Sequence, residues 1–303
     1  MTAIPTDSLV HDARDWAGPL LRMRAAFLGC GDSLAAARPA ENDGHRVISA
    51  GDVAWTGLAP RGVDVSIALS WSGRTGATIR AAETARSRGQ VVWAITSNPD
   101  SPLAQLADRH LALPNDPRSE EIPTWGFALH SVAVHTLLGH TIDLDAVLDA
   151  ATDLGEAPEA VAGAQAPSSI SVGHLPDSHS TAEFWSLKLI EATGVAARVV
   201  PLEELGHVDY FIGPQPHLTL IPVIGSGHQR ARRLGDALRR NGQTVVEIDL
   251  RSRQAELNDH EFALALSLAG GQFAAAAARA WGRPPFRGGQ VDMSAQHIQV
   301  PSE

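Results

Sequence analysis

The stretch Val65–Thr78, VSIALSWSGRTGAT, constrains the chain most. It starts as a buried-strand run through Val65, Ile67 and Leu69. It then breaks into a loop of small hydroxyl residues and glycine (Ser70, Ser72, Gly73, Thr75) and resumes as an alanine-rich helix. A strand that feeds a helix start through such a loop makes an anion site. The first-turn N–H groups have no intrahelical acceptor, and the helix dipole adds positive potential there. Ser70, Ser72 and Thr75 bring three hydroxyls to the same point, and Gly73 lets the backbone approach closely. The loop's only charge is Arg74, so a phosphate monoester suits it better than a metal ion does. The nucleotide pattern Gly-x-x-x-x-Gly-Lys-Ser/Thr is absent. The competing reading is an ordinary capped turn between strand and helix.

A chain of 303 residues has room for two domains or one α/β unit of double size. A net charge of -10 argues against nonspecific nucleic-acid binding, and there is no basic stripe with interleaved aromatics. The single cysteine, Cys30, rules out an intrachain disulfide framework and suits a reducing compartment. The N-terminus lacks the pattern of a signal peptide, and no run approaches the ~20 apolar residues of a membrane span. The expectation is a cytoplasmic protein without a membrane or nucleic-acid partner. Lys188 is the only lysine, so any mechanism that needs one has a single candidate.

Strand and helix patterns alternate along the chain, each strand mostly apolar, which predicts largely parallel sheets covered by helices on both faces. A lead-in helix over 6–24 precedes a strand at Ala25–Gly29, the turn Gly29–Ser33 and an alanine-rich helix. A strand at 45–50 and an irregular segment at 52–58 lead to the strand before the serine loop. A helix over 75–88, the strand Val91–Thr96, a short helix from Pro102, a weak strand at 111–113 and a long apolar helix over 123–139 follow. The boundaries expected are a first domain at 1–150, a linker at 151–169 rich in Ala, Gly, Pro and Ser, and a second domain at 170–303. The order of elements then repeats, with Gly225-Ser226-Gly227 in the place of the serine loop but short of its hydroxyls. One phosphate site per chain is therefore expected, in the first half. The fold class is α/β, two doubly wound subdomains.

SWSGRTGATI, followed by VVWAITSNPDSPLAQLAD, resembles the sugar isomerase (SIS) domain of phosphosugar-binding proteins. The GCGDS turn at Gly29–Ser33 resembles that domain's first loop. LKLIEATGVAARVVPLEELGH is similar to the matching stretch of double-SIS members, such as phosphoglucose/phosphomannose isomerases and the isomerase part of glucosamine-6-phosphate synthase. The resemblance implies that Ser70, Ser72 and Thr75 bind phosphate and that Glu191 moves a proton between C1 and C2 through a cis-enediol. It implies that His207, sixteen residues on, assists ring opening from the partner subunit of a homodimer. The synthase's C-terminal lysine has no counterpart, so ammonia transfer from glutamine is not expected. The function expected is a phosphosugar aldose–ketose isomerase. The alternatives are an amino-sugar-phosphate deaminase/isomerase and a phosphosugar-binding protein without turnover.

The residues can support that chemistry. Isomerisation needs a carboxylate beside C1 and C2, a donor to the enediol oxygen and an acid–base group to open the ring. Lys188 lies three residues before Glu191 and shares its helix face, where it orients the carboxylate or simply pairs with it. Histidine as a residue type suits ring opening near neutral pH, and His207 is the candidate. Glu204 orients His207, holds a sugar hydroxyl, or is a solvated acid. Gly31 shapes the first turn, and Ser33 either faces the sugar or caps its helix. Trp71 roofs the sugar or packs on the domain surface. Ser97 sits at a strand's C-terminal end, where ligands bind in open α/β sheets. Arg118 is a candidate second contact to phosphate or a hydroxyl. His130 and His135 lie on an apolar helix and read as core or interface residues. No Cys/His pair has metal-ligand spacing, and neither metal nor cofactor is expected.

Overall fold

The computed structural model describes residues 6–20, 22–115, 121–156, 165–225 and 227–283, and the chain divides into two compact units. Arg118 and the tail from residue 284 lie outside the described residues. The first unit holds the described residues up to 115 together with Trp125–Ile142, and the second holds 121–124 and the described residues from Asp143 onward.

In the first unit five parallel strands lie in the order β2-β1-β3-β4-β5: β1 Ala25–Gly29, β2 Arg46–Ser49, β3 Val65–Leu69, β4 Val91–Thr96 and β5 Arg109–Ala112. Its helices are α1 Thr6–Leu20, α2 Asp32–Ala37, α3 Ala50–Thr56, α4 Gly76–Ser87, α5 Pro102–Leu106 and α6 Trp125–Leu137. The apolar runs of β1, β3 and β4 are buried throughout except at Val91, as a sheet covered on both faces requires. On one face Ala68 and Ala94 meet Ala82 and Ala85 of α4, and small residues on both sides let helix and sheet approach closely. On the other, Trp93 meets Trp16 of α1 edge to face at 5.1 Å, and the Arg109 guanidinium lies 5.7 and 5.5 Å from the two rings, a cation–π contact that fastens the lead-in helix.

The helix α3 takes in residues 52–56 of the segment read from sequence as irregular, and Ala50, read as the end of a strand, begins it. Gly51 and Asp52 are weak helix formers. Burial overrides that weakness, because Ala50 and Val53 pack against Ala26, Leu28 and Ala81. The helix stops at Gly57 in the left-handed conformation, φ 65°, a common helix ending.

The second unit repeats the theme with four parallel strands in the order β7-β6-β8-β9: β6 Ser169–His174, β7 Ala197–Pro201, β8 His217–Pro222 and β9 Thr244–Ile248. This is the order of the first sheet without its last strand. Its helices are α7 Leu144–Gly155, α8 His179–Thr193, α9 Leu202–His207, α10 His228–Arg240 and α11 Asp259–Ala280. Among the described helices α11 is long and apolar enough to cross a membrane, yet it is mostly buried inside the unit. Its partners are specific. Trp185 of α8 donates its indole N–H to the Leu266 carbonyl at 3.0 Å and meets Phe273 edge to face at 5.4 Å. Thr181 and Ser267 share a hydroxyl bond of 2.8 Å.

Gly270 makes the α8–α11 approach possible, since a Cβ there would stand 2.1 Å from Cδ1 of Trp185. Gly270→Ala should therefore lower unfolding free energy by about 1–3 kcal/mol, the usual cost of overpacking a core. Denaturant unfolding measures this, and an unchanged midpoint would contradict the packing described.

Candidate functional site

The loop after β3 is built by backbone hydrogen bonds, and two of its hydroxyls, those of Ser70 and Thr75, come together. The Ser70 N–H donates to the Ile95 carbonyl of β4 at 3.1 Å, extending the sheet by one residue, and Gly73 N–H closes a turn onto the Ser70 carbonyl at 3.1 Å. Gly73 has φ 63°, and a Cβ on it would fall 2.1 Å from the Ser101 hydroxyl and 2.9 Å from that of Thr96. Only glycine fits there, for conformation and for space. Thr75 is the N-cap of α4, but its side chain makes no bond to the helix, and the first turn holds no acid. Its hydroxyl lies 3.1 Å from that of Ser70 instead. The Ser72 hydroxyl accepts from the Arg74 N–H at 3.2 Å and keeps its own proton for another acceptor. An ordinary capped turn spends the N-cap oxygen on the helix. Here the helix start is left without a side-chain cap and the hydroxyls of Ser70 and Thr75 meet beside it, an arrangement that favours an anion.

The rest of this mouth divides into residues that face it and residues that hold it. Trp71 does the second. Its carbonyl accepts from Thr96 Oγ1 at 3.0 Å, Ser97 Oγ at 2.8 Å and Ser97 N at 3.0 Å. Its ring packs on α6, within 3.4 Å of where a Gly126 Cβ would be and 6.3 Å from the His130 ring centroid. Of the two readings of Trp71, packing on its own unit is the one the contacts describe. Ser97 spends its proton on the loop's backbone. Thr96, not singled out from sequence, and Ser101, whose hydroxyl caps α5 by accepting from the Ala104 N–H at 3.2 Å, lie against Gly73, and Leu103 N–H donates to the Gly73 carbonyl at 3.2 Å. The quoted ITSNP segment was the signal that could have found Thr96. Gly31 has φ 55° and is the N-cap of α2, which has no side-chain cap bond. Ser33 is buried inside α2 and does not cap it. His130 is buried. Desolvation holds its imidazole well below the ordinary value, at about 4, against smaller upward pulls from the carbonyls of Gly126 and Ile95.

The titratable candidates stand on the second unit. Lys188 on α8 is only 1 % exposed, and its ammonium bonds Glu191 Oε2 at 2.8 Å while lying 5.1 Å from the Phe184 ring centroid. A buried ammonium needs such a partner, and the pairing orients the half-buried carboxylate. His207, at the end of α9, is 70 % exposed, and its Nε2 lies 3.8 Å from Glu203. Glu203 is held below its ordinary value chiefly by its bond to Arg230, 2.6 Å away. Glu204 is exposed. Just beyond, Asp209 is fully buried, accepts from Ser171 at 2.7 Å and pairs with Arg198. That anchor leaves Val208, Tyr210 and Phe211 on the surface. Where the second unit repeats the serine loop, Asp177 stands beside the turn, its Oδ2 2.8 Å from where a Gly225 Cβ would be. Burial raises the pKa of Asp177, and the N–H of Gly225 opposes that rise. A carboxylate in that place disfavours a second anion.

Known proteins match this arrangement. Residues 61–138, which run from the start of β3 through α6, match the model of the SIS domain. The 3-hexulose-6-phosphate isomerase of Mycobacterium gastri is 45 % identical over 51 residues, 17 % of this chain and 26 % of that protein. The chain spans about a third or less of the length of the curated relatives it matches. Likeness of fold reaches much further. Tagatose-6-phosphate ketose/aldose isomerase from Escherichia coli superposes with a TM-score of 0.74 at 20 % identity, over 92 % of this chain and 89 % of that one. Glucosamine-6-phosphate deaminase from Thermotoga maritima does so with a TM-score of 0.69 at 16 % identity, over 95 % and 96 %.

Two outcomes test this geometry. Gly73→Ala should abolish saturable phosphate binding, read by calorimetry, since its Cβ collides with Ser101 and its φ is unfavourable; retained affinity would contradict the loop geometry. The depressed His130 makes stability fall with acid. Unfolded histidine takes a proton near pH 6.5 and the buried one near pH 4, so stability is full above 6.5 and drains as pH falls toward 4, by about 3 kcal/mol in all. His130→Phe should flatten that part of the unfolding-versus-pH curve.

Proposed function

We propose, from the SIS-domain match over residues 61–138 and the likeness of fold along nearly the whole chain, that the protein is a member of the SIS-domain superfamily and an enzyme of sugar-phosphate chemistry, an isomerase or a deaminating isomerase. The observation that carries the reading is the start of α4, which has no side-chain cap and where the hydroxyls of Ser70 and Thr75 lie 3.1 Å apart. A phosphate there would receive hydrogen bonds from these donors, from Ser72 and from the helix's first N–H groups, and the first turn holds no acid to repel it.

The finer reading concerns the sugar's carbons. Glu191, kept in orientation by Lys188, is assigned the proton transfer between C1 and C2. It takes the proton from one carbon to form a cis-enediol and returns it to the neighbour. His207, whose imidazole stands exposed at the end of α9, is assigned ring opening. The patch formed by Val208, Tyr210 and Phe211, which are 54 %, 51 % and 81 % exposed, follows His207 directly. A second copy of the chain is the proposed cover for it, in a homodimer. When C2 carries an amino group, the same proton shift yields an imine at that carbon, and water then replaces ammonia. The likeness to the Thermotoga maritima deaminase along nearly the whole length of both chains favours this deaminating version over plain isomerisation. Arg118 is kept as a proposed further contact to the phosphate.

Ser72→Ala combined with Thr75→Val should weaken sugar-phosphate binding about tenfold or more, as the loss of two bonds to a charged group implies. Glu191→Gln should leave binding within about twofold but cut solvent-deuterium incorporation at C2 by at least about a hundredfold. Ammonia release from an amino-sugar phosphate separates the deaminating from the plain reaction. Binding without deuterium exchange in the unaltered protein would leave a phosphosugar-binding protein without turnover.

A further inference from the structure

The mechanism above makes no use of His130, although this histidine is almost completely buried directly under the loop that is proposed to take phosphate. Its Nδ1 lies 2.7 Å from the Gly126 carbonyl one helical turn earlier, so the ring donates there and its tilt on α6 is set. The Trp71 ring meets that imidazole at 65° with centroids 6.3 Å apart, and it also packs beside Gly126, where an added Cβ would stand 3.4 Å from the ring, at ordinary contact distance. Trp71 stands between Ser70 and Ser72 in the chain. Its carbonyl is already held by Thr96 and Ser97. The preceding peptide is held in turn at the Ser70 carbonyl by the Gly73 N–H. The packing of the indole adds a hold on the side chain between these two backbone anchors.

We propose that His130 is a positioning residue for the anion loop, acting through the Trp71 ring that packs against it. It touches no substrate. With Gly126 it forms a seat for the indole, and the seat fixes the directions in which the hydroxyls of Ser70 and Ser72 point. The Ile95 carbonyl, which accepts the Ser70 N–H at 3.1 Å, is among the groups that surround the imidazole, so the same side chain borders the loop at both of its anchors. The inference rests on the proposed phosphate-binding role of the loop and adds to it the element that gives the loop its shape.

The test uses the full chain, inorganic phosphate as the probe, and the variants His130→Ala, His130→Gln and His130→Phe. Alanine and glutamine should weaken phosphate binding about three- to tenfold, the size of one aromatic pair contact. Phenylalanine should restore affinity to within about twofold, because it keeps the ring. In a Trp71→Leu background, His130→Ala should have no further effect on affinity. Amide hydrogen exchange at Ser70 and Gly73, followed without ligand, should quicken in the alanine variant and recover in the phenylalanine one. If His130→Ala lowers the melting temperature but leaves phosphate affinity and loop exchange unchanged, His130 is a packing residue and the proposal fails. If phenylalanine is as weak as alanine, or if the two substitutions act additively, it fails as well. Absence of phosphate binding in the unaltered protein overturns the functional reading itself, and loop exchange then judges the role of His130 alone. Should the alanine variant not fold, glutamine against phenylalanine makes the same comparison.

Discussion

Three donors on one carbonyl govern the site. The Trp71 oxygen accepts from Thr96 Oγ1, Ser97 Oγ and Ser97 N, and that arrangement turns the peptide after Trp71 inward at its oxygen and outward at its N–H. A loop left to itself would point its carbonyls at water as often as its amides. Here the end of β4 draws the oxygen in, and the backbone presents donors to the mouth. The parallel sheet makes this possible, because β3 and β4 run side by side in register, Leu69 opposite Ile95, and so finish at the same level. The exit of one strand can then brace the loop that leaves the other. The open end of the sheet is where α/β proteins take ligands, and the hydrogen bonds give that general rule its local cause.

Much of this could be read from the residues alone, for identifiable reasons. Alternation of apolar strands with helices is a local signal repeated many times, so both parallel sheets were legible. The strands over 25–29 and 91–96 agree with expectation to the residue. The hydroxyl loop was legible because its donors are neighbours in sequence. What escaped depended on distance. α3 forms on weak helix formers because Ala50 and Val53 have a sheet to pack against, and no window of sequence contains that sheet. Trp71 was left between two readings because its seat, Gly126 and His130, arrives from another helix altogether. Ser33 was left between facing a ligand and capping, and only the position of Gly31 at the N-cap removes the second.

The long apolar helices show the same limit from another side. α6 is buried on all its described residues except Gly126, so its sequence carries no amphipathic stripe from which to read a facing partner. A histidine on such a helix reads as core, and His130 is core in the sense of burial. Burial does not settle what it does. A ring set by one hydrogen bond and packed against a functional loop is both an interior residue and part of that loop's support, and composition does not separate the two.

The two units share a strand order but not a charge pattern, and the difference explains how their roles could diverge without a change of fold. In the first, the helix after the third strand begins with no acid in its first turn, and the loop before it keeps its hydroxyls. In the second, the corresponding turn is flanked by the Asp177 carboxylate, whose raised pKa reflects burial without a cationic partner among its causes. An anion entering there would meet a like charge in a partly desolvated place, where Coulomb repulsion is stronger than in water. The second unit instead carries a buried Lys188 paired with Glu191 and an exposed His207 beside Glu203, the groups to which the proposed reaction gives its proton steps.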